Sequence, residues 1–143
     1  MIYVEKPQFF NSQMRVAALY VFSSDRILLL KRLSSKPQGD RFGLPAGKVD
    51  TEESILDALV REVAEETGLS VKHDALDIVD KFWVDHDGVQ FEYHTYKILL
   101  NLEPSVLLRP NEHVDFCWAT LSESLNLPLV EDQAFCIKFS FGL

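Results

Sequence analysis

The feature that most constrains this chain is the segment from Asp50 to Gly68, where an apolar stripe at helical spacing is bordered by carboxylates. Ile55, Leu56, Leu59, Val60 and Val63 recur with the period of one helix face, and such a face must be buried against other elements. Asp50 followed three residues later by Glu53 resembles a capping box, and Gly68 is placed to end the helix in a left-handed conformation. Glu62, Glu65 and Glu66 stand at i, i+3 and i+4. At about 100° per residue, Glu65 lies about 60° to one side of Glu62 and Glu66 about 40° to the other, so all three share one strip. Glu66 falls inside the edge of the apolar arc, between the directions of Ile55 and Leu59. The acids therefore occupy the seam between core and solvent, where an uncompensated charge is costly. Spacing alone leaves a solvated acidic face as the simpler account. On that account Arg61 pairs with Asp57 or Glu65 at i±4, worth only ~0.3–0.5 kcal/mol.

The flanking sequence supplies what such a helix packs against. Arg15 to Phe22 and Arg26 to Leu33 are β-rich runs joined by Ser23-Ser24-Asp25, which predicts an antiparallel hairpin. Ser34 to Gly43 contains Pro37, Gly39 and Gly43 and reads as a loop. Beyond the helix, Ala75 to Val84 and Val89 to Leu100 flank Asp85-His86-Asp87-Gly88, whose Asp-Gly pair predicts a second hairpin turn. A short strand is expected at Val114 to Ala119, after the loop Arg109 to His113, and a last helix at Val130 to Phe139. No repeat or linker divides the chain. The expectation is one mixed α/β domain over residues 1–143.

Charge and composition narrow the partners. The chain has 143 residues, a hydrophobic fraction of 47% and a charged fraction of 25%, enough for a sizeable core. A net charge of −8 argues against stable nucleic-acid binding and against anionic membranes. It leaves room for a small phosphorylated substrate if divalent cations stand between the two. Runs such as Ile27 to Leu30 are far below the ~20 residues of a membrane span. No secretory signal is visible at Met1 to Pro7, and the expected location is cytoplasmic. Cys117 and Cys136 lack CxxC spacing and read as isolated thiols in a reducing compartment.

From Gly47 the sequence runs Gly47, five residues, Glu53, seven residues, Arg61-Glu62-Val63, Ala64, Glu65-Glu66, Thr67, Gly68-Leu69. This resembles the Nudix box, the signature of the Nudix hydrolase family, at every specified position. At ~6–7% usage per residue type, chance produces such a match well below once in ~10⁷ start sites, which sets aside the solvated-face account. The preceding Phe42 to Val49 also resembles the segment found before the box, with Ala46-Gly47 where many members have Gly-Gly. The order of elements fits over most of the chain, although only the box is specific. The resemblance implies an α/β/α sandwich with a mixed sheet and the box helix packed against it.

It also implies a reaction: attack of water on one phosphorus of a diphosphate linkage. Oxygen-rich sites suit Mg²⁺ or Mn²⁺, which neutralise phosphate oxygens and lower the pKa of bound water. By resemblance the metal ligands are Glu62, Glu65 and Glu66, with the backbone carbonyl of Gly47 as a further ligand. Glu53 is a supporting carboxylate, and Arg61 orients a ligand carboxylate by hydrogen bonding. Gly47 and Gly68 are read as a close turn before the helix and a sharp stop after it. Glu62 is the first choice of general base, and Glu112, in the loop before the Val114 strand, is the other.

The substrate is less constrained. Arg15, Lys31, Arg32 and Arg41 are cations on strands or the loop before the box; each reads first as a surface charge, with a phosphate contact as the alternative. Phe82, Trp83, Phe91, Tyr93 and Tyr96 alternate through the second hairpin and read mostly as core. Asp132 and Gln133, at the start of the last helix, either read a base edge or cap that helix. The short chain resembles compact MutT-type members, which act on nucleoside triphosphates. ADP-ribose, nucleotide-sugar and dinucleoside polyphosphate substrates are the alternative, although the downstream proline common in ADP-ribose-cleaving members is absent. A non-catalytic nucleotide-binding regulatory module would have lost box residues, and none is lost. An isoprenoid diphosphate isomerase on a related fold needs a cysteine and an acid in contexts that Cys117 and Cys136 do not match. A monomer or a homodimer is compatible with the family.

Overall fold

A computed structural model describes residues Met1–Leu143. Its centre is a mixed sheet in the order β1-β6-β7-β2-β3-β4, with β5 (Ala46–Lys48) paired to β2 (Met14–Ser23) and β8 (His113–Thr120) to β3 (Arg26–Arg32). The outer members are β1 (Ile2–Tyr3) on β6 (Asp77–His86), and β4 (Phe42–Gly43) on β3. β7 (Val89–Leu100) and β2 run parallel through ten register pairs, from Met14↔Phe91 to Ser23↔Leu100, and the other pairings are antiparallel. Turn chemistry explains the β6–β7 hairpin: Asp87 and Gly88 both have positive φ, 53° and 82°, as the turns that match strand twist require.

The first hairpin departs from expectation in a way that builds the site. β2 and β3 pair only at its tip, Phe22↔Ile27 and Ser23↔Arg26, and then separate. The wedge between them is filled by Phe42 to Lys48, of which Phe42 and Gly43 belong to the stretch expected to be loop. β4 adds to β3, β5 adds to β2 through Val16↔Lys48, Ala17↔Gly47 and Ala18↔Ala46, and Leu19 N–H donates to the Pro45 carbonyl between them. Their shortness and glycine content conceal these strands, because their hydrogen bonds come from partners already in place.

Strand alternation divides the core in two. Ala17, Leu19, Val21, Leu28 and Leu30 face helix α1 (Ile55–Thr67), whose Leu59 and Val63 are fully buried among them. Burying side chains of this size stabilises the fold by about 1.5–3 kcal/mol each. Ala18, Tyr20, Ile27 and Leu29 face α3 (Gln133–Phe141), with Ile137 between them and the Tyr20 ring edge-on to Phe141 at 4.9 Å. The architecture is an α/β/α sandwich around a mixed sheet, as expected. A short helix, α2 (Leu121–Ser124), follows β8 with a complete capping box at Thr120 and Glu123.

Two helix starts differ from their expected positions. α1 begins at Ser54, whose hydroxyl accepts from the Asp57 amide at 3.0 Å. Asp50 and Glu53 instead close a turn of their own ahead of the helix. α3 begins three residues late because Val130 N–H donates to the Phe42 carbonyl, which draws the chain into a bridge with β4, and Asp132 then takes φ 68°. The Gly68 stop is as expected: φ is 76°, and its N–H donates to Ala64 at 2.9 Å. Both cysteines are free thiols, Cys136 buried and Cys117 half-buried.

Candidate active site

The acidic strip of α1 lies over β5, at the mouth of the wedge between β2 and β3. Its three members grade from core to water. Glu66 is 6% exposed, the Glu62 side chain 18% and the Glu65 side chain 37%. Glu66 Oε1 accepts from the Ala46 amide of β5 at 2.8 Å, which fixes one carboxylate oxygen and leaves the other for a ligand. Burial pushes the Glu66 carboxyl up to about 8, against the opposing pull of that amide. Glu62 is also raised, because its desolvation outweighs the attraction of the neighbouring Arg61.

Gly47 is required here by close approach. Its φ is not positive, and it sits in strand register opposite Ala17. A Cβ at this position would overlap Cγ, Cδ and Oε1 of Glu62. The expected tight turn at Gly47 is therefore corrected. The glycine lets the Glu62 carboxylate lie directly on the β5 backbone.

Arg61 holds the acids in order. Its Nε and Nη2 form a fork on Glu53, both at 2.8 Å, while Nη1 donates to Glu62 Oε1 at 2.7 Å and Nη2 also reaches the Lys48 carbonyl at 3.1 Å. Glu65 is 3.6 Å from Nη1. The same guanidinium ties α1, β5 and the turn at Glu53 together, a geometry that planar, bidentate Arg provides and Lys does not. The fork draws the Glu53 carboxyl down to about 2 and raises Arg61 further above its ordinary value. Asp57 takes no part and pairs with His73 at 2.9 Å.

Two residues from the far side of the chain complete the cluster. Glu112 and His113, at the start of β8, each offer a ligand atom that lies with one of Glu66 inside a 4.8 Å group. Sequence reasoning singled out Glu112 but missed His113. A lone histidine in a polar loop has no periodicity to distinguish it, and only its adjacency to Glu112 offered a signal.

A cavity of about 340 Å³ opens beside this cluster, on the α3 face, and Arg32 and His113 line it on the side of the acids. Phe91 and Tyr93 contribute apolar wall, while Asp132 and Gln133 contribute polar groups. Asp132 makes no side-chain cap on its own helix. Gln133 is buried and donates to the Tyr20 hydroxyl at 3.3 Å. Of the four cations suggested by the sequence, only Arg32 lines this cavity. Arg15 donates to the Glu53 carbonyl at 3.2 Å, on the other flank of the Arg61 network. Arg41 is committed to the Leu129 carbonyl at 2.9 Å, and Lys31 lies outside the lining. Phe82 is fully buried against Phe135 and Phe139, as core aromatics are.

The donor set is oxygen-rich and short of positive charge, and burial resists ionisation of its inner members. A hard divalent cation fits such a set, because it satisfies the carboxylates and cancels their repulsion. Fold and site together define a cation-dependent hydrolase built on a mixed-sheet sandwich. The NUDIX domain family matches residues 12–137, and the chain belongs to the Nudix hydrolase family, enzymes that use a divalent metal. It is similar to the uncharacterized Nudix hydrolase YvcI of Bacillus subtilis, with 25% identity over 87% of this chain and 77% of that protein. It is similar also to the dihydroneopterin triphosphate diphosphatase of Haemophilus influenzae, with 22% identity over 92% and 88%. In fold it is similar to the NUDIX domain of Shewanella oneidensis NrtR, solved with ADP ribose: TM-score 0.77, 20% identity, covering 96% of this chain and 92% of that one.

Proposed function

We propose that residues 1–143 act as one catalytic domain that hydrolyses a nucleoside triphosphate to nucleoside monophosphate and pyrophosphate, with Mg²⁺ or Mn²⁺. The observation that carries this reading is the cavity beside the acid cluster. Its volume of about 340 Å³ is at the small end of ligand sites, and its lining combines aromatic wall with a few polar groups. A base held there leaves the phosphate chain to run past Arg32 toward α1. The similarity to a diphosphatase named for a triphosphate substrate supports the same reading.

In this reading Glu62, Glu65, Glu66 and the Gly47 carbonyl would hold the cations, which would neutralise phosphate oxygens and lower the pKa of water. Glu62 would take the proton of the attacking water, from its place on the β5 backbone beside the other acids. Glu112 is the second choice for that step. Arg61 and Glu53 keep Glu62 in place, and both act as positioning residues. Asp132 contacts the base edge and Arg32 a phosphate oxygen. Arg15, outside the cavity lining and bonded to the Glu53 carbonyl, contributes to phosphate binding on that flank.

Hydrolysis of ADP-ribose, a nucleotide sugar or a dinucleoside polyphosphate is the second reading, favoured by the fold similarity to a domain solved with ADP ribose. A product-resolved screen of these substrates and nucleoside triphosphates, with each metal, separates the two. Nucleoside monophosphate with pyrophosphate is the expected result. Two monophosphate products from ADP-ribose, with triphosphates untouched, replace the first reading by the second.

A further inference from the structure

The start of β8 carries a feature that the box chemistry leaves unused. β3 and β8 pair regularly from Arg26↔Thr120 to Lys31↔Asp115, and then the register shifts so that Arg32 faces His113 in place of Val114. A one-residue slip exchanges the two faces of a strand. By simple alternation from Phe116 and Trp118, which pack toward α1, His113 would face the opposite layer. The bulge sets His113 opposite Arg32, where it borders both the α3-face cavity and the carboxylates, and leaves Val114 half-exposed.

At this position the ring lies among carboxylates. His113 is 6% exposed, its Nδ1 is buried, and no protein group hydrogen-bonds to that nitrogen. A buried polar atom left unsatisfied costs about 1–3 kcal/mol, so a histidine kept only for packing is poorly served by this position. The backbone around it is well fixed: the amides of Glu112 and His113 both donate to the Arg109 carbonyl at 3.1 Å, and Leu33 N–H donates to the Glu112 carbonyl at 2.9 Å. A ring nitrogen of His113 and an oxygen from each of Glu66 and Glu112 lie within 4.8 Å of one another. Three donors sharing one ion at about 2.0–2.2 Å stand about 3–3.8 Å apart, so side-chain movement on the order of 1 Å closes the set.

We infer that Glu66, Glu112 and His113 form a mixed carboxylate–imidazole cation site, in which His113 is a nitrogen ligand and transition-metal divalent cations are preferred to Mg²⁺. The inference deepens the reading of this centre as a cation-dependent hydrolase and rests on that reading for the role of Glu66. Imidazole is a poor partner for Mg²⁺, which takes oxygen donors, and a good one for first-row transition ions. Two carboxylates with one imidazole therefore shift selectivity toward Mn²⁺ or Zn²⁺ without excluding Mg²⁺ from the all-oxygen donors of α1.

The test is direct detection of the bond, with Mn²⁺ as the probe. Pulsed electron paramagnetic resonance of the full chain loaded with Mn²⁺ is expected to show coupling to a directly bound nitrogen. His113→Gln is expected to lose the coupling and to weaken Mn²⁺ binding tenfold or more in calorimetry, with Mg²⁺ binding changed less than threefold. The chain has four histidines, so the reciprocal variant His73→Gln, His86→Gln, His94→Gln leaves His113 alone and retains the coupling. This variant keeps the test decisive if His113→Gln does not fold. Absence of nitrogen coupling in the wild type, or its loss in the reciprocal variant, overturns the inference. Hydrolysis without nitrogen coupling defeats the histidine site and leaves the hydrolase reading intact. Coupling in a chain that hydrolyses none of the screened substrates does the reverse.

Discussion

Gly47 shows how one residue without a side chain constrains a charged site. The Glu62 carboxylate occupies the space a Cβ would take, so any other residue must push α1 or β5 aside. Gly47→Ala is expected to cost about 1–3 kcal/mol in urea unfolding, as overpacking does. It is also expected to lower kcat by about 100-fold, because a displacement near 1 Å at a reacting centre has that effect. In the proposed reading Glu62 and Glu65 supply charge as well as shape. Glu62→Gln and Glu65→Gln should each lower turnover by two or more orders of magnitude with the melting temperature retained. Turnover within tenfold of wild type in both, at saturating Mg²⁺, sinks the site assignment. The box spacing made these acids visible in the sequence. The reason for Gly47 was not visible, since a glycine before a helix reads equally as a turn.

At the scale of the element, α1 is held by its ends as well as by its buried stripe. Ser54 caps the first turn, and Ser54→Ala is expected to destabilise by about 1 kcal/mol. Gly68 at φ 76° closes the last turn, with the Cβ of Leu107 only 3.3 Å from where a Gly68 side chain would begin. Gly68→Ala should therefore cost about 1–2 kcal/mol through its left-handed conformation, with a further loss if Leu107 cannot yield. Chemical denaturation with unchanged m-value is the measurement. The C-terminal stop was legible because only glycine adopts that conformation cheaply. The start was misplaced because Asp50 and Ser54 both have capping chemistry, and Arg61, eight residues beyond Glu53, decides where the Glu53 carboxylate goes. The short β4 and β5 were hidden for a related reason: two or three residues, one of them glycine, form strands only when flanking strands present open hydrogen-bonding edges.

For the whole molecule, the cost of burying Glu66 links the centre to stability. Its carboxyl is raised to about 8 in the folded chain, so between its ordinary value near 4.5 and about 8 the native state holds a proton that the unfolded state releases. Stability without metal should fall as pH rises through that window and level off above it, by an amount on the order of a few kcal/mol. Glu66→Gln should remove that slope. A divalent cation at 100 times its dissociation constant should restore about 2.7 kcal/mol to the wild type and less to Glu66→Gln. Melting temperatures at pH 5, 7 and 9, with and without Mn²⁺, test all three statements, and a pH-independent difference between the two proteins contradicts the burial argument.

The sequence by itself determined the reaction class, through its resemblance to the Nudix box, and most of the elements, through local spacing. Glutamates at i, i+3 and i+4 share a helix strip whatever surrounds them, and Asp87-Gly88 turns the chain back on its own conformational preferences. Tertiary structure decided which groups meet that strip. Glu112 and His113 lie more than forty residues from Glu66 in the chain, and the pairing of β8 with β3 brings them beside it. Arg32 joins them, while Arg41, in the same loop region, is taken by Leu129. The Asp50 to Gly68 stripe announced a buried acidic seam. Its occupants on the opposite wall are set by strand register, which depends on partners that no local pattern names.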